Sequence, residues 1–312
     1  MKKFLVIAHV YYHEMWSLLD SCIQNLPKDS FDLIVTTTSN IDELSSKVKE
    51  HYPNAKVKLC ENRGYDIWPF IKALKTVNLD EYEFLIKIHT KRDMGKIVAI
   101  IDNKYFFRGQ YWRNMLLSFI SSKENFHKCL EAFKDPAVGM INNHRLFDRT
   151  RETTDNPHLV YCLNESRKLL SEVGISAKPC DEVKYVAGTM FICRAAIFKP
   201  LQEMNFDVNQ FAVVNRKNEN DLAHVMERVF GWLVTSQGYS IADPYSRFNE
   251  LFRFFFHSSY CRFLMFKLRH RWFSKFVRFF SRIEDKSDNR YLVLCKCLKI
   301  RLPKSNNKQL RE

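Results

Sequence analysis

The sequence predicts an α/β fold built on a mostly parallel sheet with flanking helices. Over the first ninety residues, short apolar runs with β-branched members alternate with amphipathic stretches of helical spacing. Glycine (8) and proline (9) are scarce for 312 residues, which disfavours an all-β chain of many tight turns. Polar and charged side chains gather where the apolar runs end, and a parallel sheet binds its ligands outside the carboxyl ends of its strands.

Residues 4–10 predict a buried first strand, ending at His9-Val10-Tyr11-Tyr12. Met15, Leu18, Leu19, Ile23 and Leu26 recur at helical spacing over 14–26. Residues 31–37 predict a second strand, 42–52 a helix after an Asn40 cap, and 57–60 a short third strand. A helix over 67–77 tolerates Pro69 in its first turn, and 84–89 predict the fourth strand. Beyond it, 106–133 predict one or two helices broken near Ser121-Ser122, 138–141 a strand, 142–157 a polar loop over the site, and 158–173 a helix. Residues 185–193 predict one strand whose Ala187-Gly188-Thr189 lets a backbone or ligand approach closely. Helices follow over 195–204 and 220–232, and no internal repeat is visible.

The expected organisation is a globular domain over residues 1–245 and a basic, aromatic-rich region over 246–312. Charge divides the chain in much the same way. Residues 251–312 hold 16 Lys and Arg against 4 Asp and Glu, whereas the first 250 hold 33 against 31. A nearly neutral body with a basic tail argues against nucleic-acid binding through the body and for an acidic surface near the tail. Phe252, Phe255, Phe256, Phe263, Phe266, Phe273, Val277 and Phe280 share one face of a helix, with Arg262, Arg269, Lys275, Arg278 and Arg282 mostly elsewhere. That pattern predicts a basic amphipathic helical tail on an anionic membrane surface, with a helical pair packed on the body as the alternative. Nine cysteines with no C-x-x-C pair signal neither a disulfide framework nor a zinc knuckle, and read as reduced cytosolic thiols. The apolar run after Lys2-Lys3 stops at His9, short of a secretory leader, and no uncharged apolar run approaches the roughly 18 residues of a membrane span.

Four constellations carry chemistry. Glu61-Asn62-Arg63-Gly64-Tyr65-Asp66 joins the third strand to a helix start. Asn62 and Asp66 suit ribose hydroxyls or a base, Arg63 suits a phosphate, and the helix N-terminus favours anions; Asp66 equally suits a plain helix cap. Lys87-Ile88-His89-Thr90-Lys91-Arg92-Asp93 puts Lys87 and His89 on one side of the fourth strand and gathers the cations a diphosphate demands, or else is a solvated charge run. Val186-Ala187-Gly188-Thr189-Met190-Phe191 suggests a close-packed floor, although most such strands are core. His224, Glu227 and Arg228 fall within about one helical turn, where a carboxylate near a histidine suits general-base work or forms a satisfied helix pair.

The segments Asn62-Arg63-Gly64-Tyr65-Asp66-Ile67-Trp68-Pro69-Phe70, Lys87-Ile88-His89-Thr90-Lys91, Trp112-Arg113, Ala187-Gly188-Thr189-Met190-Phe191 and Leu222-Ala223-His224-Val225-Met226-Glu227-Arg228 occur in this order. With them, the chain resembles the rhamnan synthesis protein F family over roughly residues 4–245. That family is associated with bacterial surface polysaccharides. The resemblance implies a glycosyltransferase with a GT-A-like, Rossmann-like sheet binding a nucleotide sugar at its strand ends. It implies Asn62, Gly64 and Asp66 by the nucleotide, His89 and Lys91 by the diphosphate, and Gly188, Thr189, His224 and Glu227 by the sugar or acceptor. His9, Arg63, Lys87 and Arg228 complete the expected nucleotide-sugar site. Glu227 is the first expected catalytic base and Asp66 the second, with His224 a further catalytic candidate.

One departure from the pattern matters. GT-A enzymes commonly carry Asp-x-Asp at the end of the fourth strand to hold a divalent metal, and here that place reads His89-Thr90-Lys91. Cationic side chains neutralise a leaving diphosphate as a metal does, so no tightly bound cofactor is expected. Asp66 and Asp93 are the carboxylates left for Mg2+ or Mn2+. The reaction expected is transfer of L-rhamnose from dTDP-rhamnose onto a growing lipid-linked polysaccharide of O-antigen or rhamnan type. The place expected is the inner face of the bacterial inner membrane, reached from the cytoplasm as a peripheral protein. A non-catalytic, membrane-docked subunit of a polysaccharide assembly complex is the alternative.

Overall fold

Strands buried on both faces require helices on both sides, and the first 89 residues supply the two in alternation. A computed structural model describes residues 2–93, 97–100, 105–151, 153–154, 156–176, 182–213, 222–244, 259–262, 281–286, 289–294 and 298–301. The chain divides into two units, residues 1–251 and 252–312.

The first unit begins β1 (Lys2–His9), α1 (Trp16–Ile23), β2 (Phe31–Thr37), α2 (Ile41–His51), β3 (Lys56–Leu59), α3 (Ile67–Leu74) and β4 (Tyr82–His89). A hairpin of β5 (Ile97–Ile100) and β6 (Tyr105–Arg108) follows, then α4 (Gln110–Leu116), α5 (Lys123–Ala132) and β7 (Val138–Ile141). After β8 (Phe147–Arg151) and α6 (Pro157–Glu172) come β9 (Glu182–Val186), β10 (Phe191–Arg194), α7 (Lys199–Glu203), α8 (Leu222–Thr235) and β11 (Ser240–Ala242).

The main sheet has the order β11-β7-β10-β4-β1-β2-β3. β10 is antiparallel to both β4 and β7, and the other pairings are parallel. This is the mostly parallel α/β sheet with flanking helices that the alternation predicts. Its register sets His9 beside Thr36 on one side and His89 on the other, so three polar side chains share one sheet edge. Phenylalanines fill the layer beneath the helices. Phe70 of α3, Phe191 of β10, Phe198 and Phe230 of α8 meet with ring centroids 5.4–6.5 Å apart. Gly231 lets α8 press on β9, since a Cβ there would fall 2.2 Å from the Lys184 carbonyl oxygen.

The structure departs from the sequence expectations in five places. The single strand expected over 185–193 is two strands in different sheets, β9 pairing with β8 and β10 with β4 and β7. They part at Gly188 (φ 81°) and Thr189 (φ 49°), where the left-handed backbone turns the chain. The polar loop over 142–157 contains β8, whose pairing with β9 satisfies backbone groups that a loop would leave to solvent. The helix expected from 106 begins at Gln110, because Tyr105–Arg108 are aromatic-rich and pair as β6. Asn40 precedes α2 but caps nothing with its side chain; its φ of 44° makes it a left-handed turn residue instead.

The fifth departure lies in the second unit. Residues 259–262 are helical, but β12 (Ser281–Lys286), β13 (Asn289–Leu294) and β14 (Leu298–Arg301) form a three-stranded antiparallel sheet. The helical tail does not continue there, because Tyr291-Leu292-Val293-Leu294 favours strand and the short connections favour hairpins. Most of the phenylalanine-rich stretch lies outside the described residues. Cys22, Cys60, Cys129, Cys162, Cys193 and Cys261 are buried. Among the described residues no helix is long and apolar enough to cross a membrane.

Candidate active site

The parallel strands deliver their last residues to one edge, and hydrogen bonds tie those residues together. His9 Nδ1 lies 3.0 Å from the Thr36 hydroxyl. The Thr90 amide donates to the His9 carbonyl at 2.9 Å, and the Thr90 hydroxyl accepts from the amides of Tyr11 (3.0 Å) and Tyr12 (3.1 Å). The turn after β1 is thereby pinned to the end of β4. Thr90 was overlooked as a site residue in the sequence; its signal was a small hydroxyl between His89 and Lys91.

Lys87 lies deeper in the sheet, only 1% exposed. A buried ammonium must be paired and hydrogen-bonded, and three residues from two places in the chain provide for it. Its Nζ donates to the Asp66 carboxylate at the start of α3. It also donates to the Thr189 carbonyl (2.9 Å) and hydroxyl (2.8 Å) in the turn before β10. The Phe70 ring centroid lies 5.3 Å away. Thr189 in turn donates its hydroxyl proton to Asp66 Oδ2 at 2.7 Å, and His89 Nδ1 stands 3.3 Å from the same oxygen. Asp66 makes no capping bond to α3, so the plain helix-cap reading does not hold.

These surroundings fix the charges. Burial alone would raise the Asp66 carboxyl, but His89, Lys87 and the bonds from Lys87 and Thr189 hold it far below the usual carboxylate range. Burial pushes Lys87 down, opposed by Asp66 and by the nearby Glu227 carboxylate. Burial also lowers His89 to about 3 and His9 to about 4, although Asp66 pulls both upward. Both imidazoles are therefore neutral at pH 7.

The loop before α3 is shaped by Gly64. Its φ is 60°, and a Cβ would fall 2.6 Å from Phe211 Cδ1. Its amide donates to Ala212 O at 2.9 Å, and Arg63 donates to Phe211 O at 3.0 Å. Arg63 thus braces the neighbouring segment. Asn62 is exposed.

Across the site, α8 presents Glu227 and His224. Glu227 is half-buried, with Oε1 accepting the Gly188 amide at 3.3 Å and Oε2 3.7 Å from Arg228. Gly188 sits at a φ of 81° and packs against Leu116, whose Cδ2 a Cβ would meet at 2.7 Å. His224 is half-buried beside Tyr65 and His158, ring centroids 6.5 and 5.5 Å apart. Arg228 points inward to the Thr150 hydroxyl (3.1 Å), the His224 carbonyl (2.7 Å) and the Tyr185 hydroxyl (3.1 Å), which makes it a brace within the fold.

The expected residues therefore fall into groups. Asp66, Lys87, His89 and Thr189 form one connected cluster, with His9 in its field and Glu227 near enough to act on Lys87. Lys91 is half-buried just beyond, while Asp93 is exposed beside Gly109. The donors at the end of β4 do not suit a hard divalent cation, which wants several free oxygens. Lys91 is cationic, and Asp66 Oδ2 already accepts from Lys87 and Thr189. No group of three His, Cys, Asp or Glu side chains stands ready for an ion among the described residues.

The rhamnan synthesis protein F profile matches residues 1–239. The chain belongs to that family. The chain is similar to two proteins described as "uncharacterized protein WxcX", from two strains of Xanthomonas campestris pv. campestris. They are 23% and 22% identical over 238 residues, 76% of this chain but 32% of theirs. The chain spans about a third of the length of the curated relatives it matches. Among solved structures, S. aureus TarS 1-349 is 19% identical with a TM-score of 0.36, covering 73% of this chain and 55% of TarS. The 4-diphosphocytidyl-2C-methyl-D-erythritolsynthase of Anaerococcus prevotii is 9% identical with a TM-score of 0.35, covering 84% of this chain and 96% of that one. Likenesses of that size carry no inference about activity.

The buried imidazoles make stability depend on pH. Unfolded, His9 and His89 titrate near the ordinary value of about 6.5, whereas folded they titrate at about 4 and 3. The unfolded chain therefore binds more protons between those limits, and stability falls as pH drops from about 6.5 towards 4. Urea midpoints at pH 7.5 and 5.0 are expected to differ in that direction, with a shallower difference in His89→Gln. An equal drop in both proteins would show that His89 is not buried as a neutral group.

Proposed function

We propose that this chain is a glycosyltransferase that moves a sugar from a nucleotide-sugar donor onto a growing bacterial surface polysaccharide. Membership of the rhamnan synthesis protein F family supports the polysaccharide. The observation that carries the transfer is the half-buried Glu227 carboxylate, held by the Gly188 amide beside the Lys87–Asp66 cluster at the carboxyl ends of the strands. We read L-rhamnose from dTDP-rhamnose as donor and a lipid-linked glycan as acceptor.

In an inverting transfer, Glu227 takes the proton from the acceptor hydroxyl as that oxygen attacks C1 and the sugar–phosphate bond breaks. Asp66 is a poor candidate for that role, because its carboxylate is already bonded to Lys87 and Thr189 and held strongly acidic. Its part is to anchor charge. The diphosphate meets the end of β4, where Lys91 at the rim is the cation and the neutral imidazoles and Thr90 add polarity, and no metal enters the scheme.

A thermal-shift panel of dTDP, UDP, GDP, CDP and CMP, each with and without Mg2+, tests the donor. A matched nucleotide at 100 times its dissociation constant adds about 2.7 kcal/mol. The expected result is selective stabilisation by dTDP without need of Mg2+. Glu227→Gln should keep that response while transfer falls at least about 100-fold. No response to any nucleotide would favour a non-catalytic subunit, and near-normal transfer by Glu227→Gln would remove Glu227 as base.

The basic residues of 251–312 support peripheral binding to an anionic membrane, each worth about 1 kcal/mol near such a surface. Liposomes rich in phosphatidylglycerol are expected to sediment the full chain but not a version ending at residue 250 that still binds nucleotide. Equal sedimentation of both would place the membrane contact outside the tail.

A further inference from the structure

Tyr65 is a large aromatic side chain left 43% exposed beside a buried charge cluster. Its φ of 55° lies in the left-handed region, which a bulky residue adopts only when its surroundings enforce it. They do so here. The Gly64 amide is bonded to Ala212 O (2.9 Å), the Ile67 amide to Gly64 O (3.0 Å), and the next side chain, Asp66, is held by Lys87 and Thr189. The turn that carries Asp66 into its cluster leaves Tyr65 partly exposed at the surface.

That ring has a neighbour of consequence. Its centroid is 6.5 Å from that of His224, with the planes at 53°. His224 and Glu227 are three residues apart on α8 and so share a face of the helix. His158 closes the far side of His224, edge to face at 5.5 Å. The aromatic surface therefore adjoins the carboxylate expected to act on an acceptor hydroxyl. Such a surface suits the C–H face of a pyranose, whose slightly positive hydrogens complement the negative face of an aromatic ring.

We propose that Tyr65, with His224, is the platform on which a sugar ring of the acceptor glycan lies, presenting its hydroxyl to Glu227. Tyr65 is a positioning residue in this scheme. The assignment rests on the glycosyltransferase reading and adds to it the place where the acceptor binds.

The test measures two ligands on the same full-length proteins. A rhamnose-terminated trisaccharide is titrated by calorimetry, and dTDP and UDP are followed by thermal shift. Tyr65→Ala should weaken the trisaccharide about tenfold, Tyr65→Phe should stay within about twofold, and nucleotide stabilisation should be unchanged in both. Tyr65→Gly, which relaxes the left-handed backbone, should repeat the loss if the alanine variant does not fold. Unchanged trisaccharide affinity in Tyr65→Ala overturns the platform, as does absence of trisaccharide binding to the unmodified chain. Loss of the nucleotide response in Tyr65→Ala overturns it too, by moving Tyr65 to the donor side. If the unmodified chain responds to no nucleotide, the glycosyltransferase reading fails, and the platform with it.

Discussion

A lysine ammonium in the middle of an apolar sheet is the constraint around which the site is built. Leaving such a charge unpaired costs several kcal/mol, so the fold must bring partners to it. Lys87 receives them from two places distant in sequence, Asp66 before α3 and Thr189 before β10. Each partner needs an unusual backbone: Gly64 and Tyr65 are left-handed ahead of Asp66, and Gly188 and Thr189 are left-handed in the turn itself. One buried charge thus fixes two loops, and those loops carry Tyr65 and the Gly188 amide that holds Glu227.

Two carboxylates facing one site can have different roles only if their surroundings differ. Asp66 is bonded to cationic and hydroxyl donors and stays ionised. Glu227 is half-buried and receives one backbone amide, with its second oxygen 3.7 Å from a guanidinium engaged elsewhere. The first arrangement suits holding charge in place and the second suits exchanging a proton. The neutral imidazoles of His9 and His89 add polarity to the strand ends without adding positive charge.

Much of the sheet was legible in the sequence, because a strand buried on both faces reads as a continuous apolar run; residues 31–37 proved to be β2 end for end. The cluster at the strand ends was legible as a concentration of polar residues, since a parallel sheet collects its carboxyl ends at one edge. What was hidden depended on contacts between distant residues. Arg228 looks like a ligand-facing cation on a helix, yet it braces Thr150 and Tyr185, positions far away in sequence. The break within 185–193 was hidden because Thr189 gives no sign in sequence of a positive φ. The strands of 281–301 were hidden because Arg282, Lys286 and Arg290 fit helical spacing as well as alternation.

The most direct measurement is a double-mutant cycle on the central pair, comparing Asp66→Asn, Lys87→Met and both together in urea at pH 7.5. If the pair organises the site, Asp66→Asn alone should lose about 3–5 kcal/mol by leaving a buried ammonium without its counter-charge. The double variant should then be more stable than the sum of the single losses predicts, by more than about 1 kcal/mol. Losses that add to within about 0.5 kcal/mol would show two independent residues, and the account of the site would be contradicted at its root.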